Sequence, residues 1–281
     1  MIDINSEQFE QLLPFVGAAT EDVFEKMQPS FVEVYDDLMD TVVGSDFEAD
    51  VEMEGSPLQG YVRNYVILAT FLLRLRSNDL IMTDTGFGVV SNENIAPASQ
   101  ARVDALEREL SHKRDVNLYT LINQLRRTDG WADTPQAEIC ISSFIWCPWL
   151  LKIWCGATGN VTFDDVAKHR QEIDAAENVL RRELSDDLIE QLLSEERNSS
   201  YAPSHRAAIF KICGFIGSNV SMRDGATPSP RHGEEAFARL LSFIEDHIDD
   251  FPKYKNSSAY KANHMQAYEN KTDDPTFFFV C

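Results

Sequence analysis

"YVRNYVILATFLLRLRSND", residues 61–79, is apolar on nearly every side of a helical wheel. A surface helix carries one apolar stripe, whereas a helix that is apolar all round has other helices packed about it. The stretch therefore predicts a central helix inside a mainly α bundle. Toward the N-terminus, "EDVFEKMQPSFVEVYDDLMDTVVG" (21–44) sets Val23, Phe24, Met27, Phe31, Val34, Leu38 and Val42 at helical spacing, and Gly44 is a natural stop. Ahead of it, "SEQFEQLLPFVG" (6–17) offers Ser6 as a cap and Phe9, Leu12 and Leu13 as an apolar face. Toward the C-terminus a long helix is expected from about Ala98 to Arg127, carrying Val103, Leu106, Leu110, Leu118, Leu121 and Leu125.

Between the central helix and this long one lies "LIMTDTGFGVVSNENIAPAS" (80–99). Gly86 and Gly88 before a helix suggest a phosphate cradle, but a P-loop needs GxxxxGK[ST] and a dinucleotide turn needs GxGxxG. Here no third glycine follows, no base occurs before Arg102, no lysine before Lys113, and the near charges Asp79, Asp84 and Glu93 are acidic. "LIMT" and "GVVS" are β-prone around the turn "DTGF", so residues 80–91 read as a β-hairpin insertion that projects and contacts another protein. Asn92, Asn94 and Ser99 are candidate caps for the helix behind it, with Pro97 near its first turn.

The second half repeats three landmarks in the same order. "YDDLMDTVV" (35–43) resembles "SDDLIEQLL" (185–193), "RNYVILATFLLRLRSN" (63–78) resembles "RAAIFKICGFIGSN" (206–219), and "PASQARVDALEREL" (97–110) resembles "PSPRHGEEAFARLL" (228–241). Two related helical units are expected, over 1–134 and 161–281, joined by an apolar Trp/Cys-rich segment at 135–160. The longer spacing in the first copy falls in two places, nine positions in the acidic loop "SDFEADVEMEGSPLQG" (45–60) and ten in the hairpin stretch. Any two amphipathic helical stretches can also align to this degree.

The 281 residues carry a formal net charge of −21, unevenly placed. Residues 1–60 hold fifteen Asp and Glu against Lys26 alone, so −14 lies in this part. Such a surface repels phosphate backbones and anionic membranes, which argues against a DNA reader and for a basic partner or a channel wall past which DNA slides. Cys140, Cys147, Cys155, Cys213 and Cys281 form no CxxC pair and no zinc-finger spacing, so a metal or disulfide framework is not expected and a reducing compartment is. "MIDINSEQFEQ" lacks the basic and apolar regions of a signal peptide. "ICISSFIWCPWLLKIWCGATG" (139–159) approaches spanning length, but Pro148 and Lys152 interrupt it, so a buried helix or a subunit contact is expected and no membrane partner.

No HExxH, GxSxG or nucleophile signature occurs, and the six histidines are dispersed. Four acid pairs (Asp36–Asp37, Asp164–Asp165, Asp186–Asp187, Asp249–Asp250) could hold a cation, but adjacent helical residues diverge by about 100°, which favours solvated faces or helix starts. The chain is thus expected to have no catalytic residues, cofactor or metal. Trp146, Trp149 and Trp154 crowd into nine residues, as core or as an interface. "DDPTFFFVC" (273–281) places Phe277, Phe278 and Phe279 in a tail that is expected to dock as an added strand. The candidate contact residues are therefore Phe87, Val89, Trp146, Trp149, Trp154, Phe277, Phe278 and Phe279.

"TDTGFGVVSNENIAPASQARVDAL" (83–106) and "IDDFPKYKNSSAYK" (248–261) resemble a largely uncharacterised family from Bacteroides-type phages and prophages, similar in setting to head–tail connector (neck, adaptor) proteins. The specific likeness covers 79–106 and 248–261. It implies a structural virion subunit, made in the host cytoplasm, that forms a homo-oligomeric ring beneath the portal. Portal and tail proteins would be its partners, and DNA would pass without specific binding. The doubled length departs from short single-unit adaptors. Two other readings stand beside it: a cytosolic helical protein-binding or regulatory module with a Trp/Cys-lined pocket, and a metal-assisted enzyme using the acid pairs.

Overall fold

Pro57 in the first turn and Ser56 at the cap, whose hydroxyl accepts the Leu58 N–H at 3.2 Å, start the central helix, α4 (Pro57–Arg74). The computed structural model describes residues 2–16, 20–76, 80–83, 86–89, 99–220 and 230–265, and it is mainly α. Before α4 come α1 (Ser6–Leu12), α2 (Thr20–Leu38) and α3 (Glu48–Glu52). After it a short antiparallel ladder joins β1 (Leu80–Thr83) to β2 (Gly86–Val89), with Leu80 opposite Val89 and Thr83 opposite Gly86. There follow α5 (Gln100–Leu125), α6 (Pro135–Cys140), α7 (Pro148–Cys155), α8 (Phe163–Lys168), α9 (Arg170–Glu183), α10 (Asp186–Asn198), α11 (Pro203–Asn219), α12 (Pro230–Asp246), α13 (Pro252–Lys255) and α14 (Ser258–Asn263).

As its all-round apolarity requires, α4 is enclosed, with Val62, Val66, Ile67 and Leu68 buried among α2, α3 and α5. The cap of α1 is Asn5, not Ser6. Its side chain accepts the Gln8 N–H at 2.9 Å while the Gln8 side chain accepts the Asn5 N–H at 3.2 Å, a reciprocal box open to an amide pair three residues apart.

The end of α2 widens into one π turn, Met39–Val43, before Gly44 turns the chain at φ +88°. Three successive carbonyls of that turn accept from side chains of 131–140. Gln136 donates to Asp40 O (3.1 Å), the Cys140 thiol to Thr41 O (3.8 Å) and the Trp131 indole to Val42 O (3.0 Å). A π turn frees carbonyls from their usual partners, and here they fix the fully buried Trp131 and α6 onto α2.

Two apolar cores result. The first runs from Ile2 to Ile141 with Trp146 and Cys147; the second takes Phe144, Ile145, Leu151 and Cys155 and continues to Tyr254. Residues 141–147 pass from one core to the other. The most extensive helix pairings are α4 on α5 and α11 on α12. Two of the repeated landmarks thus sit in equivalent places, one in α4 and α11 and the other at the starts of α5 and α12. The remaining one does not: Asp36-Asp37-Leu38 closes α2, whereas Asp186-Asp187-Leu188 opens α10. Acids at the start of α10 suit the helix dipole, whereas those at the end of α2 do not, so the likeness is one of composition and not of position.

Candidate interaction site

The joint segment divides its three tryptophans. Trp146 is 4% exposed and belongs to the core, so the interface role considered for it fails: its indole is already consumed inside the chain. It donates to Glu196 Oε1 at 3.1 Å, stacks on Tyr119 at 5.7 Å, and has the Arg126 guanidinium over its ring at 5.4 Å. Arg126, just past α5, also binds the Glu196 carboxylate at 3.0 Å and the Tyr201 hydroxyl at 2.8 Å, and contacts the Glu196 carbonyl. Tyr201 in turn donates to Glu196 Oε2 at 2.7 Å. Burial and the carboxylate push the Tyr201 phenol up to about 12. This clamp ties α5 of the first core to α10 of the second.

Trp149 and Ile153 face outward from α7, at 57% and 49% exposure, while Leu151 and Cys155 face the second core. Pro148 opens α7 and Gly156, in the left-handed region, ends it. Trp154 is half-buried: its ring meets the exposed Phe210 ring edge-on at 4.4 Å. Its backbone lies so close to α11 that a Cβ on Gly217 would stand 2.3 Å from the Trp154 carbonyl oxygen. α7 thus presents an apolar ridge, continued by Phe210 on α11.

Between α5 and α7 opens a cleft of about 490 Å³. His112, Val116, Tyr119 and Thr120 come from α5, Pro148, Trp149 and Lys152 from α7, and Gly159 and Val161 from the loop beyond. Its one carboxylate, Asp115, is committed to its own chain: Oδ1 pairs with Arg114 at 2.7 Å, and Oδ2 accepts the Phe163 N–H at the start of α8 at 2.8 Å. Burial raises the Asp115 pKa against the opposing pull of Arg114. Lys152 donates to Gly159 O at 3.2 Å, holding the loop against α7.

The second feature is the outer face of α2, where Glu21, Asp22, Glu25, Glu33, Asp36 and Asp37 are exposed. None of them is ion-paired among the described residues. Lys26 is the one base on this helix.

In three of the four acid pairs one member serves local structure. Asp165 caps α8 through the Thr162 N–H at 3.0 Å and binds Lys168 at 2.9 Å. Asp186 pairs with Arg181, and Asp249 with Lys255 at 2.8 Å. Among the described residues no group of three or more His, Cys, Asp or Glu is placed to hold a metal ion. Burial pushes the thiols of Cys140, Cys147 and Cys155 up to about 12, which leaves them protonated and poor nucleophiles at neutral pH. No helix among the described residues is long and apolar enough to cross a membrane.

Phe87 lies opposite Met82 in the ladder and Val89 opposite Leu80. The contacts expected of their side chains lie outside the described residues, as do those of Phe277, Phe278 and Phe279. Sequence reasoning did not find Arg126, Glu196, Tyr201, Val116 or Phe210. Each is an ordinary residue in its own stretch of sequence and gains meaning only across the fold.

Residues 12–141 and 231–264 match the model of DUF6712, a family of unknown function. The chain belongs to DUF6712. No curated protein and no solved structure matches it. The DUF6712 match covers α2–α6 and α12–α14, while α7–α11 lie between its two stretches. The cleft accordingly has one wall, α5, inside the match and the other, α7, outside it.

Proposed function

We propose that this chain is a structural assembly subunit, a head–tail connector that packs into a homo-oligomeric ring beneath a phage portal. The observation that carries the assembly reading is the ridge of Trp149, Ile153 and Phe210, 49–66% exposed on adjoining helices. A lone chain seldom leaves such a patch in water, and Trp is favoured as an interface anchor. The acidic outer face of α2 is consistent with a wall past which DNA moves, because carboxylates repel phosphates. The placement among connectors, with portal and tail proteins as partners and the virion as location, rests on the resemblance in 79–106 and 248–261.

Sedimentation velocity and negative-stain imaging of the purified chain, alone and with candidate partners, test the reading. A discrete ring is the expected result. A monomer at all concentrations with every partner would favour the single-copy binding module instead, and tight duplex binding at about physiological salt would remove the DNA-passing role.

A further inference from the structure

We infer that the cleft between α5 and α7 receives the phenylalanine-rich tail segment 276–280 of a second copy of this chain. The inference rests on the assembly reading above and names its contact. The cleft's two walls carry exposed apolar side chains, Val116 at 49% and Trp149 at 57%, and the half-buried Tyr119 also lines it. Its volume of about 490 Å³ lies in the range of pockets that enclose small apolar groups. A ligand with an acidic and an aromatic part fits its chemistry. Lys152 brings a positive charge, His112 adds a ring donor, and Asp115 has its charge balanced by Arg114 and the Phe163 N–H.

The same sequence contains such a ligand. Asp273 and Asp274 precede Phe277, Phe278, Phe279 and Val280, so carboxylates and phenyl rings stand in one short segment. The chain beyond α14 is long enough to reach away from its own helices. Twelve positions separate Met265, which is 79% exposed after α14, from Phe277. Extended, they span up to about 40 Å. An aromatic seated against Trp149 and Tyr119 would gain from edge-on or offset ring contacts, and the acids would meet Lys152 at the rim.

The test uses full-length chains. The first carries Phe277→Ala, Phe278→Ala and Phe279→Ala, which leaves the cleft intact and without its ligand. A fluorescent peptide of residues 271–281 should bind it, and adding Trp149→Ala or Val116→Asp should weaken binding at least ten-fold with an unchanged melting temperature, since both side chains are exposed. Lys152→Gln should weaken binding and flatten its salt dependence. Mixing the tail variant with a Trp149→Ala chain, one holding a cleft and the other a tail, should give a heterodimer that neither forms alone.

A peptide that does not bind, or binds equally when Trp149 or Val116 is replaced, overturns the inference. If rings still form in that case, the assembly reading survives. Peptide binding without a heterodimer, and with a monomeric wild type, overturns delivery by a second copy and removes the assembly reading as well.

Discussion

The two cores meet at residues 141–147, and each side of that joint is held by one glutamate of the second core under opposite conditions. Glu196 on α10 accepts the Trp146 indole N–H and lies against Arg126 at 3.0 Å, with 7% and 12% side-chain exposure for the arginine and the glutamate. Glu177 on α9 accepts the Phe144 N–H at 2.8 Å and has no ion-pair partner among the described residues. Glu177 is buried and Glu196 nearly so, and the two carboxylates anchor neighbouring residues of one short segment. Glu196 has a guanidinium beside it at 3.0 Å; Glu177 has no such partner, and burial raises its pKa to about 7 against the pull of the Phe144 N–H, Arg170 and Arg181. Of the two anchors, it is Glu177 whose protonation is governed by burial.

The strongest way to break the contrast is to orphan the paired glutamate. Arg126→Ala leaves Glu196 buried with hydrogen-bond donors but no counter-charge, a change that typically costs about 3–5 kcal/mol. Unfolding in urea should show this loss, and a second, separate transition should appear if the clamp is what makes the cores unfold together. Pairing Arg126→Met with Glu196→Gln should recover more than half of the loss, because the uncompensated charge is then gone. Equal losses for the single and the double variant would show that the ion pair does not hold the joint.

Next in size is the packing of the joint's helix. Gly217→Ala would place a Cβ 2.3 Å from the Trp154 carbonyl oxygen, so α7 and α11 must move apart. Backbone against backbone cannot yield by a side-chain rotation, and a cost of about 2–3 kcal/mol is expected, in the range of overpacked cores. Trp154 emission should shift red as Phe210 separates from it. A variant with wild-type stability and spectrum would mean that α7 is not seated as described. Gly214→Ala is the control, since its added carbon would make ordinary contact with the Trp154 ring at 3.6 Å.

The parts of this arrangement legible in the sequence are those encoded by near neighbours. The all-apolar run of α4 and the stop at Gly44 follow from periodicity and from the φ preferences of glycine; at 139–159 Pro148 reads only as an interruption, and in the fold it opens α7. Asn5 and Ser6 are adjacent and both cap helices, so the composition of that stretch leaves the choice open; the Gln8 amide decides it. Asp36-Asp37-Leu38 shows the opposite failure, since a short match carries no information on which end of a helix it occupies. The clamp could not be read, because Arg126, Trp146 and Glu196 are separated by 20 and 50 positions and belong to different packing layers. The same holds for the cleft: Val116 and Trp149 are each unremarkable until α5 and α7 stand side by side.

A smaller effect is expected at the π turn that fixes α6 to α2 within the first core. Trp131→Phe removes the donor to Val42 O and leaves a buried carbonyl unpaired, at about 1–2 kcal/mol. The loss should be confined to the first core, so amide exchange should quicken across 39–44 and 131–140 and stay unchanged in α9–α11. Uniform acceleration across both cores would show that the two are one cooperative unit, which would weaken the contrast drawn at the joint.

The least effect belongs to the unpaired glutamate, and there the sign is informative. Glu177 holds its proton to about pH 7 in the folded chain, well above the ordinary carboxylate range. Between that range and pH 7 the folded state binds more protons than the unfolded one, so stability must fall as pH rises through this window and level off above it. Glu177→Gln presents a neutral carbonyl oxygen to the same Phe144 N–H. The variant should come closest to the wild type at low pH, where Glu177 is neutral in both states, and gain on it between pH 5 and pH 8 by at least about 1 kcal/mol. Urea midpoints at the two pH values measure the difference. If the substitution instead costs more at pH 8 than at pH 5, the carboxylate is charged and stabilising, and Glu177 and Glu196 anchor the joint in the same way after all.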